Sequence, residues 1–232
     1  EDKFAFYLFC AGLGFPVPKT YAVVNWPTAH TLNRISLKNS EDWRAFFSDH
    51  VDSDFIIKPA SGIWGLGVES FTKQGHNFLN NRDNKIWTLQ DILSNFESET
   101  KASKFSRVHF QFAQFSKYGR FVIQEKLRNH SSISEMSGTD ALQSLRINSF
   151  INRSGEVEML FADLKIIVGK NISSNFNSGS DGNICAKVSL KDGTIESAVK
   201  LRKGELVFSQ CETHPITGKK IIGFEIPHWE QA

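Results

Sequence analysis

The pattern of apolar and polar positions divides the chain into a mixed N-terminal part and a C-terminal part of successive strands. Apolar side chains lie nearly all round residues 2–13, which predicts a mostly buried helix ending at Gly14. A second helix is predicted from Ser40, with acidic residues in its first turn and an apolar face at Trp43 and Phe46. The first part is therefore predicted to be α/β.

Strands in this part are predicted from short β-branched and aromatic runs, and residues 72–84 are polar and predict a loop. Residues 86–96 predict a strand end and a helix capped at Thr88, whereas the phenylalanines of 105–117 fit neither period. The predicted strands are 20–24, 55–58, 68–71 and 121–127.

From Leu145 onward the pattern changes to successive β-rich runs separated by turn residues, and Asp192-Gly193 predicts a hairpin. The whole is predicted to be an α+β fold whose C-terminal part is mainly antiparallel sheet. The three runs are 145–151, 157–167 and 183–190.

The stretch at 54–67, DFIIKPASGIWGLG, carries the first candidate chemistry. Its strand ends at Lys58, and a turn with glycines at 62, 65 and 67 follows. One fixed cation beside a flexible turn suits a phosphate-bearing ligand, because glycines let backbone N–H groups approach an anion. A buried strand and hairpin, with Lys58 reaching solvent, explains the same residues. Both interpretations stay open on this stretch alone.

Three familiar phosphate-binding patterns are excluded by spacing. The chain has no GxxxxGK followed by Ser or Thr, and its glycine spacing is the reverse of GxGxxG. A protein kinase places its glycine loop before the lysine, and neither HRD nor DFG follows here.

Composition narrows the class of protein further. The 232 residues are 40% hydrophobic and carry a formal charge of +2, which gives no reason to expect a nucleic-acid partner. The three cysteines are far apart and form no CxxC pair, so a reducing cytoplasm is expected rather than a disulfide framework or zinc site. The sequence contains neither a signal-peptide pattern nor an apolar stretch that predicts a transmembrane segment.

The order of motifs resembles the ATP-grasp superfamily, and most closely its sugar-transfer-associated branch, found in polysaccharide biosynthesis loci. The resemblance covers nearly the whole chain. The motifs are Asp2-Lys3, GFPVPKTY at 14–21, the Lys58 strand with its glycine turn, Gln124-Glu125-Lys126-Leu127, Leu145-Arg146-Ile147-Asn148, Lys165, Ser174-Asn175-Phe176, and the HPITG run from His214 to Gly218.

The resemblance implies an ATP-grasp fold, in which two α+β subdomains close on ATP. It suggests a leading helix and turn at 1–19, a central subdomain at 20–127, and a C-terminal subdomain at 128–232 that is incomplete at its C-terminus. The implied reaction joins a small carboxylate or sugar-linked substrate to an amine through an acyl phosphate, with ATP and Mg²⁺.

The resemblance also implies roles for individual residues. Lys3 and Lys58 contact the phosphates of ATP. The lid is formed by Gly62, Gly65 and Gly67, and the hinge that reads adenine by Gln124, Glu125, Lys126 and Leu127. The amide of Asn175 meets phosphate or metal, although a structural Asx turn explains it equally well.

Arg146 and Lys165 are the implied catalytic residues, because cations stabilise the charge that develops in phosphoryl transfer. Many relatives use arginine at the position of Lys165. The structural alternative is salt bridging across strands to Glu156 or Glu158. His214 is interpreted as a packing or capping histidine.

The chain departs from the family in its metal ligands. ATP-grasp enzymes hold Mg²⁺ with a late acidic residue and a Glu-x-Asn, and neither follows Asn175. Either these ligands lie beyond Ala232 or the chain does not catalyse. A non-catalytic nucleotide-binding or scaffold domain and a small-molecule kinase are therefore the alternative functions.

Overall fold

The computed structural model describes residues 2–61, 65, 67–105, 120–201 and 207–231. Contacts divide the chain into two compact units, Glu1–Leu127 and Arg128–Ala232. Helices and antiparallel sheets occur in both units, so the predicted α+β class is confirmed. Within the described ranges, no helix is both long enough and apolar enough to cross a bilayer.

The first unit is built on one antiparallel sheet of eight strands. The strands are β1 Thr20–Asn25, β2 Thr28–Thr31, β3 Ser36–Leu37, β4 Phe55–Pro59, β5 Glu69–Gln74, β6 Asn77–Asn80, β7 Lys85–Trp87 and β8 Arg120–Glu125. Their order in the sheet is β3-β2-β1-β8-β4-β5-β6-β7, so the lysine strand β4 lies between β8 and β5.

The prediction of a loop at 72–84 is wrong, because β5 and β6 form an antiparallel hairpin in this segment. The turn between them uses Gly75 with a positive φ of 61°. Polar side chains are buried in this hairpin, since Asn80 is 2% exposed and donates to Glu69 Oε2 at 2.9 Å. A buried polar pair of this kind hides the apolar alternation that marks a strand.

The helix predicted at the N-terminus is present as α1, Lys3–Gly12, but the prediction that it is buried is wrong. It has no buried residue, and Phe6 and Phe9 are 55% and 67% exposed. Asp2 caps its first turn by accepting from the N–H groups of Phe4 and Ala5.

The other helices of this unit pack on one face of the sheet. Helix α2, Ser40–Ala45, begins with a capping box between Asn39 and Asp42 and continues into a π-helical turn, Phe46–His50. Helix α3 spans Leu89–Phe105, and the predicted ambiguous segment 105–117 lies outside the described residues beyond Phe105. The apolar core that these helices cover is formed mainly by the aromatic side chains Trp43, Phe46, Phe47, Phe55, Phe71, Phe78, Phe96 and Phe121.

The alternation of side chains along β4 and β8 decides where Lys58 points. Phe55 and Ile57 face the aromatic core, so Ile56 and Lys58 face the opposite side of the sheet. In β8, Gln124 lies opposite Ile56 in the strand register and shares that side. The core therefore fixes Lys58 and Gln124 on one common face.

The second unit contains an antiparallel sheet of five strands. Its elements are α4 Ser131–Ser137, β9 Ser144–Ile151, β10 Val157–Ile166, β11 Ile184–Val188, β12 Ile195–Leu201 and β13 Phe208–Gln210. The order in the sheet is β13-β12-β11-β10-β9, which confirms the three predicted C-terminal strands and adds two that follow the Asp192-Gly193 turn.

His214 is fully buried in the second unit, as its interpretation as a packing residue predicts. Its Nε2 lies 3.0 Å from the carbonyl oxygen of Ile167, and its Nδ1 accepts from the N–H of Thr217 at 3.3 Å. These bonds require the proton on Nε2. The Thr217 hydroxyl in turn donates to the carbonyl of Met136 in α4 at 2.7 Å.

We expect His214→Ala to lower the free energy of unfolding by about 3 kcal/mol, because it leaves a cavity and an unsatisfied carbonyl. Urea unfolding followed by fluorescence measures the loss. The exposed His76, changed to alanine, is the control and should cost less than about 0.5 kcal/mol. Equal losses in the two variants would contradict the role of His214.

Candidate functional site

Lys58 is a largely buried cation held by an aromatic residue. Its Nζ donates to the hydroxyl of Tyr7 in α1 at 2.5 Å and lies 4.7 Å from the centre of the same ring. Burial lowers the pKa of Lys58 to about 8, and the charge of Lys3 acts in the same direction. No carboxylate in the described ranges bonds to Lys58. The ammonium is thus charged at neutral pH without a counter-ion from the described chain.

Lys3 belongs to the same neighbourhood. Its Nζ lies 3.4 Å from the carbonyl oxygen of Pro59, the residue after Lys58, and its backbone N–H donates to Ala60 at 2.8 Å. Asp2 bonds to Arg120 at 2.6 Å, which ties the start of α1 to β8 as well. Burial acts to raise the pKa of Asp2, but its bonds to Ala5 N–H and Arg120 outweigh burial and lower it.

The glycine turn after β4 is described in part. Gly62 lies outside the described residues, whereas Gly65 and Gly67 both have positive φ, 72° and 70°. A Cβ on Gly67 would lie 2.9 Å from Cγ of Pro59. Gly67 is therefore required by the packing of the turn itself, whatever its role toward a ligand.

The predicted hinge uses part of its hydrogen-bonding capacity within the sheet. The N–H groups of Glu125 and Lys126 donate to the carbonyls of Lys19 and Asp54, and the Glu125 carboxylate accepts from the N–H of Lys19 at 2.6 Å. Gln124 is 5% exposed, and its buried Oε1 has no hydrogen-bond partner among the described residues. Leu127 is 38% exposed. A buried acceptor without a partner is costly, so Gln124 suits a ligand that donates to it.

Lys165, in the second unit, differs from Lys58 because it has a counter-ion. Its Nζ forms an ion pair with Asp163 and donates to Sγ of Cys185 at 3.0 Å. It also lies 5.7 Å from the ring centre of Phe176. Burial acts to lower the pKa of Lys165, but Asp163 and Cys185 outweigh it and the pKa is raised.

The partner of Lys165 is therefore not one of the glutamates suggested from the sequence. Glu158 instead accepts from the side chain of Asn152 at 2.6 Å. Asp163 lies two residues before Lys165 on β10 and opposite Arg146 in the register of β9 and β10. The Arg146 side chain lies in an exposed position on β9, and none of the described contacts pairs it with a carboxylate.

Asn175 lies in a polar loop organised by a residue that the sequence did not single out, Asn183. Asn183 is fully buried and donates to the carbonyls of Ser173 and Asn175 at 3.0 and 2.7 Å. Its Oδ1 accepts from Val168 and Asn171. The side-chain amide and the backbone N–H of Asn175 both donate to the hydroxyl of Ser173, at 2.8 and 3.4 Å, so this amide is engaged within its own loop.

A metal site is not formed by the residues that the structure describes. Those residues contain no cluster of three or more histidine, cysteine, aspartate or glutamate side chains. The described residues therefore do not supply the set of carboxylate oxygens that Mg²⁺ prefers.

Comparison with protein families decides the relationship of the chain. The model of the family described as "Sugar-transfer associated ATP-grasp" matches residues 1–232. The chain belongs to this ATP-grasp family. Neither curated proteins nor solved structures give a significant match.

For this ATP-grasp protein, sequence analysis missed three residues that contact the predicted site residues, one in the first unit and two in the second. Tyr7 is separated from Lys58 by 51 positions, and nothing in one sequence pairs them. Asp163 could have been found from the sequence, because residues two apart on a strand lie on the same face, and Asp163 is two residues before Lys165 on a predicted strand. Asn183 directly precedes β11 and carried no such signal.

We expect Asp163→Asn to lower the free energy of unfolding by about 2 kcal/mol, because it leaves the partly buried ammonium of Lys165 without its counter-ion. Chemical denaturation measures the loss. Glu196→Gln is the matched control, since it breaks the exposed pair of Lys187 and Glu196 in the same sheet and should cost less than about 1 kcal/mol. A loss for Asp163→Asn no larger than the control's would refute the pairing.

Proposed function

We propose that this protein is an ATP-dependent carboxylate–amine ligase that acts through an acyl phosphate in the biosynthesis of a glycan. The observation that carries the proposal is the ammonium of Lys58, buried beside Lys3 and bonded to a neutral hydroxyl rather than to a carboxylate. Family membership gives the ATP-grasp framework, and this cation gives a reason for an anionic ligand.

The electrostatics of Lys58 favour a ligand with several negative charges. Burying an ammonium disfavours its charged form, and a second cation nearby adds to that cost. The pKa of Lys58 falls to about 8 for both reasons. A phosphate group reverses both effects, because its charge stabilises the two ammonium groups together. Perturbed cations of this kind are concentrated at functional sites.

The hinge supports a nucleotide as the carrier of that phosphate. Gln124 offers a buried acceptor without a partner in the described chain, on the same face of the sheet as Lys58. The exocyclic amine of adenine is a donor that matches it. Gly65 and Gly67 have positive φ, and a turn with such residues is a backbone shape that can present N–H groups to an anion, which supports the proposal.

In the proposed reaction, a substrate carboxylate attacks the terminal phosphorus of ATP and ADP leaves. An amine then attacks the acyl carbon and releases inorganic phosphate. Arg146, whose guanidinium is exposed and unpaired among the described contacts, is assigned to the oxyanions that develop. Lys165 is assigned the same region, with Asp163 fixing the position of its ammonium.

ATP turnover with candidate carboxylates and amines separates this function from its alternatives. A ligase releases ADP and inorganic phosphate only when both substrates are present. A small-molecule kinase gives a stable phosphorylated product, which ³¹P NMR detects. A non-catalytic nucleotide-binding domain binds ATP and turns over none in the intact protein.

Lys58→Met should weaken ATP binding by at least about tenfold, because it removes a charge-assisted bond worth about 1.5–3 kcal/mol. Isothermal titration calorimetry measures the affinity. Lys73→Met is the matched control: Lys73 is a partly buried lysine of β5 whose Nζ donates to the carbonyls of Phe47 and Val51. Unchanged affinity in Lys58→Met, or an equal loss in the folded control, would argue against the phosphate role.

The same pair of variants gives opposite results for stability. Between pH 8 and 10.5 the unfolded chain holds the proton of Lys58 while the native protein has lost it, so native stability rises with pH in that window. At pH 7 the buried charge is a cost. Lys58→Met should therefore be more stable than wild type by about 2 kcal/mol, after loss of the bond to Tyr7.

Urea unfolding at pH 7 and pH 10 measures both effects. The advantage of Lys58→Met should shrink at the higher pH. Lys73→Met should be less stable than wild type, because two carbonyls lose their donor. A destabilised Lys58→Met at pH 7 would show that Lys58 is a structural lysine.

A further inference from the structure

Tyr7 lies on the partly buried side of α1, together with Phe4 and Cys10. Its side chain is partly buried, whereas Phe6 and Phe9 beside it are more than half exposed. The start of α1, which carries Tyr7, is held to the sheet by two contacts near Lys58. Asp2 at the start of α1 pairs with Arg120 of β8, and the backbone of Lys3 bonds to Ala60 after β4.

Tyr7 and Lys58 each have a hydrogen-bond donor that no described residue accepts. A phenolic hydroxyl both donates and accepts, and an ammonium has three protons. The hydroxyl of Tyr7 accepts one hydrogen bond from the ammonium of Lys58, at 2.5 Å. Within the described residues, the Tyr7 proton has no acceptor, and Lys58 has no partner besides Tyr7. Two donors of different residues are thus left side by side.

The charge state of the pair suits an oxyanion. Burial raises the pKa of Tyr7, so the hydroxyl keeps its proton at neutral pH and acts as a donor. A hydroxyl that accepts from a cation becomes polarised and donates more strongly. A ligand oxygen that meets both groups receives one charge-assisted bond and one strengthened neutral bond.

We propose that the hydroxyl of Tyr7 is a phosphate-binding group, which donates to the phosphate that Lys58 binds. The proposal rests on the proposed function, because the phosphate is that of ATP. Tyr7 contacts the ligand directly and also orients the ammonium of Lys58. It is therefore a binding residue rather than only an anchor for α1.

The test compares Tyr7→Phe with wild type by calorimetry, using ATP and inorganic triphosphate as two separate probes. Phenylalanine keeps the ring under the Lys58 ammonium and removes only the hydroxyl. We expect about a tenfold loss of affinity for both probes. A loss confined to ATP would overturn the proposal, since the hydroxyl would then act on the nucleoside.

Tyr21→Phe is the matched control. Its hydroxyl donates to Asp52 at 2.6 Å and contacts Ser53, so the variant also loses one hydroxyl of the same unit, but away from Lys58. Its affinity for both probes should equal that of wild type. An equal loss in the two variants would overturn the proposal, because the effect would come from general destabilisation.

Three further outcomes are informative. Tighter binding by Tyr7→Phe would overturn the proposal and show that the hydroxyl competes with phosphate for Lys58. If wild type binds ATP, Lys58→Met does not, and Tyr7→Phe binds like wild type, the role of Tyr7 fails while the proposed function stands. If wild type binds neither probe, both fail.

Discussion

The burial of a single ammonium group, that of Lys58, is the constraint around which the first unit is arranged. The aromatic core on one face of the eight-stranded sheet fixes β4, and strict alternation then sends Lys58 to the other face. There the charge meets the hydroxyl and ring of Tyr7 and the charge of Lys3. A fold selected for stability alone would place an apolar residue at such a position, or a carboxylate beside the cation. A charge that is buried, positive and bonded to a neutral group is suited to an anion that arrives from outside.

The second unit uses the same residue type in the opposite way. The ammonium of Lys165 is neutralised by Asp163 and held by Cys185, so it is a fixed element of the sheet face. The guanidinium of Arg146, opposite Asp163 in the register, is exposed and is not paired with a carboxylate by any described contact. Family resemblance treats the two cations as equivalent, whereas their surroundings give them different chemistry. In the proposed reaction, Arg146 would contact oxyanions directly, and Lys165 would shape the surface on which they lie.

Much of the fold follows from local pattern, and most of the site does not. The strands β4 and β8 to β11 and the helices α1 and α2 were predictable, because each has its own periodicity and turn residues. The hairpin of β5 and β6 was missed because its buried Asn80 breaks the apolar pattern. The burial of α1 was misjudged because periodicity reports which residues are apolar, not which surface covers them. Sequence analysis did not identify Tyr7 or Asn183 for a related reason: contacts between residues far apart in the chain are decided by tertiary packing. Of these three residues, only Asp163 was predictable, because its spacing of two from Lys165 places both on one face of a strand.

The most direct measurement of the central claim is the pKa of Lys58 itself, followed by NMR of lysine side chains labelled with ¹³C and assigned with the Lys58→Met variant. In the protein without nucleotide, burial and the charge of Lys3 should place this pKa at about 8. Saturating ATP should raise it by more than about one unit, because a bound phosphate stabilises the charged form. A pKa near the ordinary lysine value of 10.5 that ATP leaves unchanged would contradict both the buried cation and its role in binding phosphate.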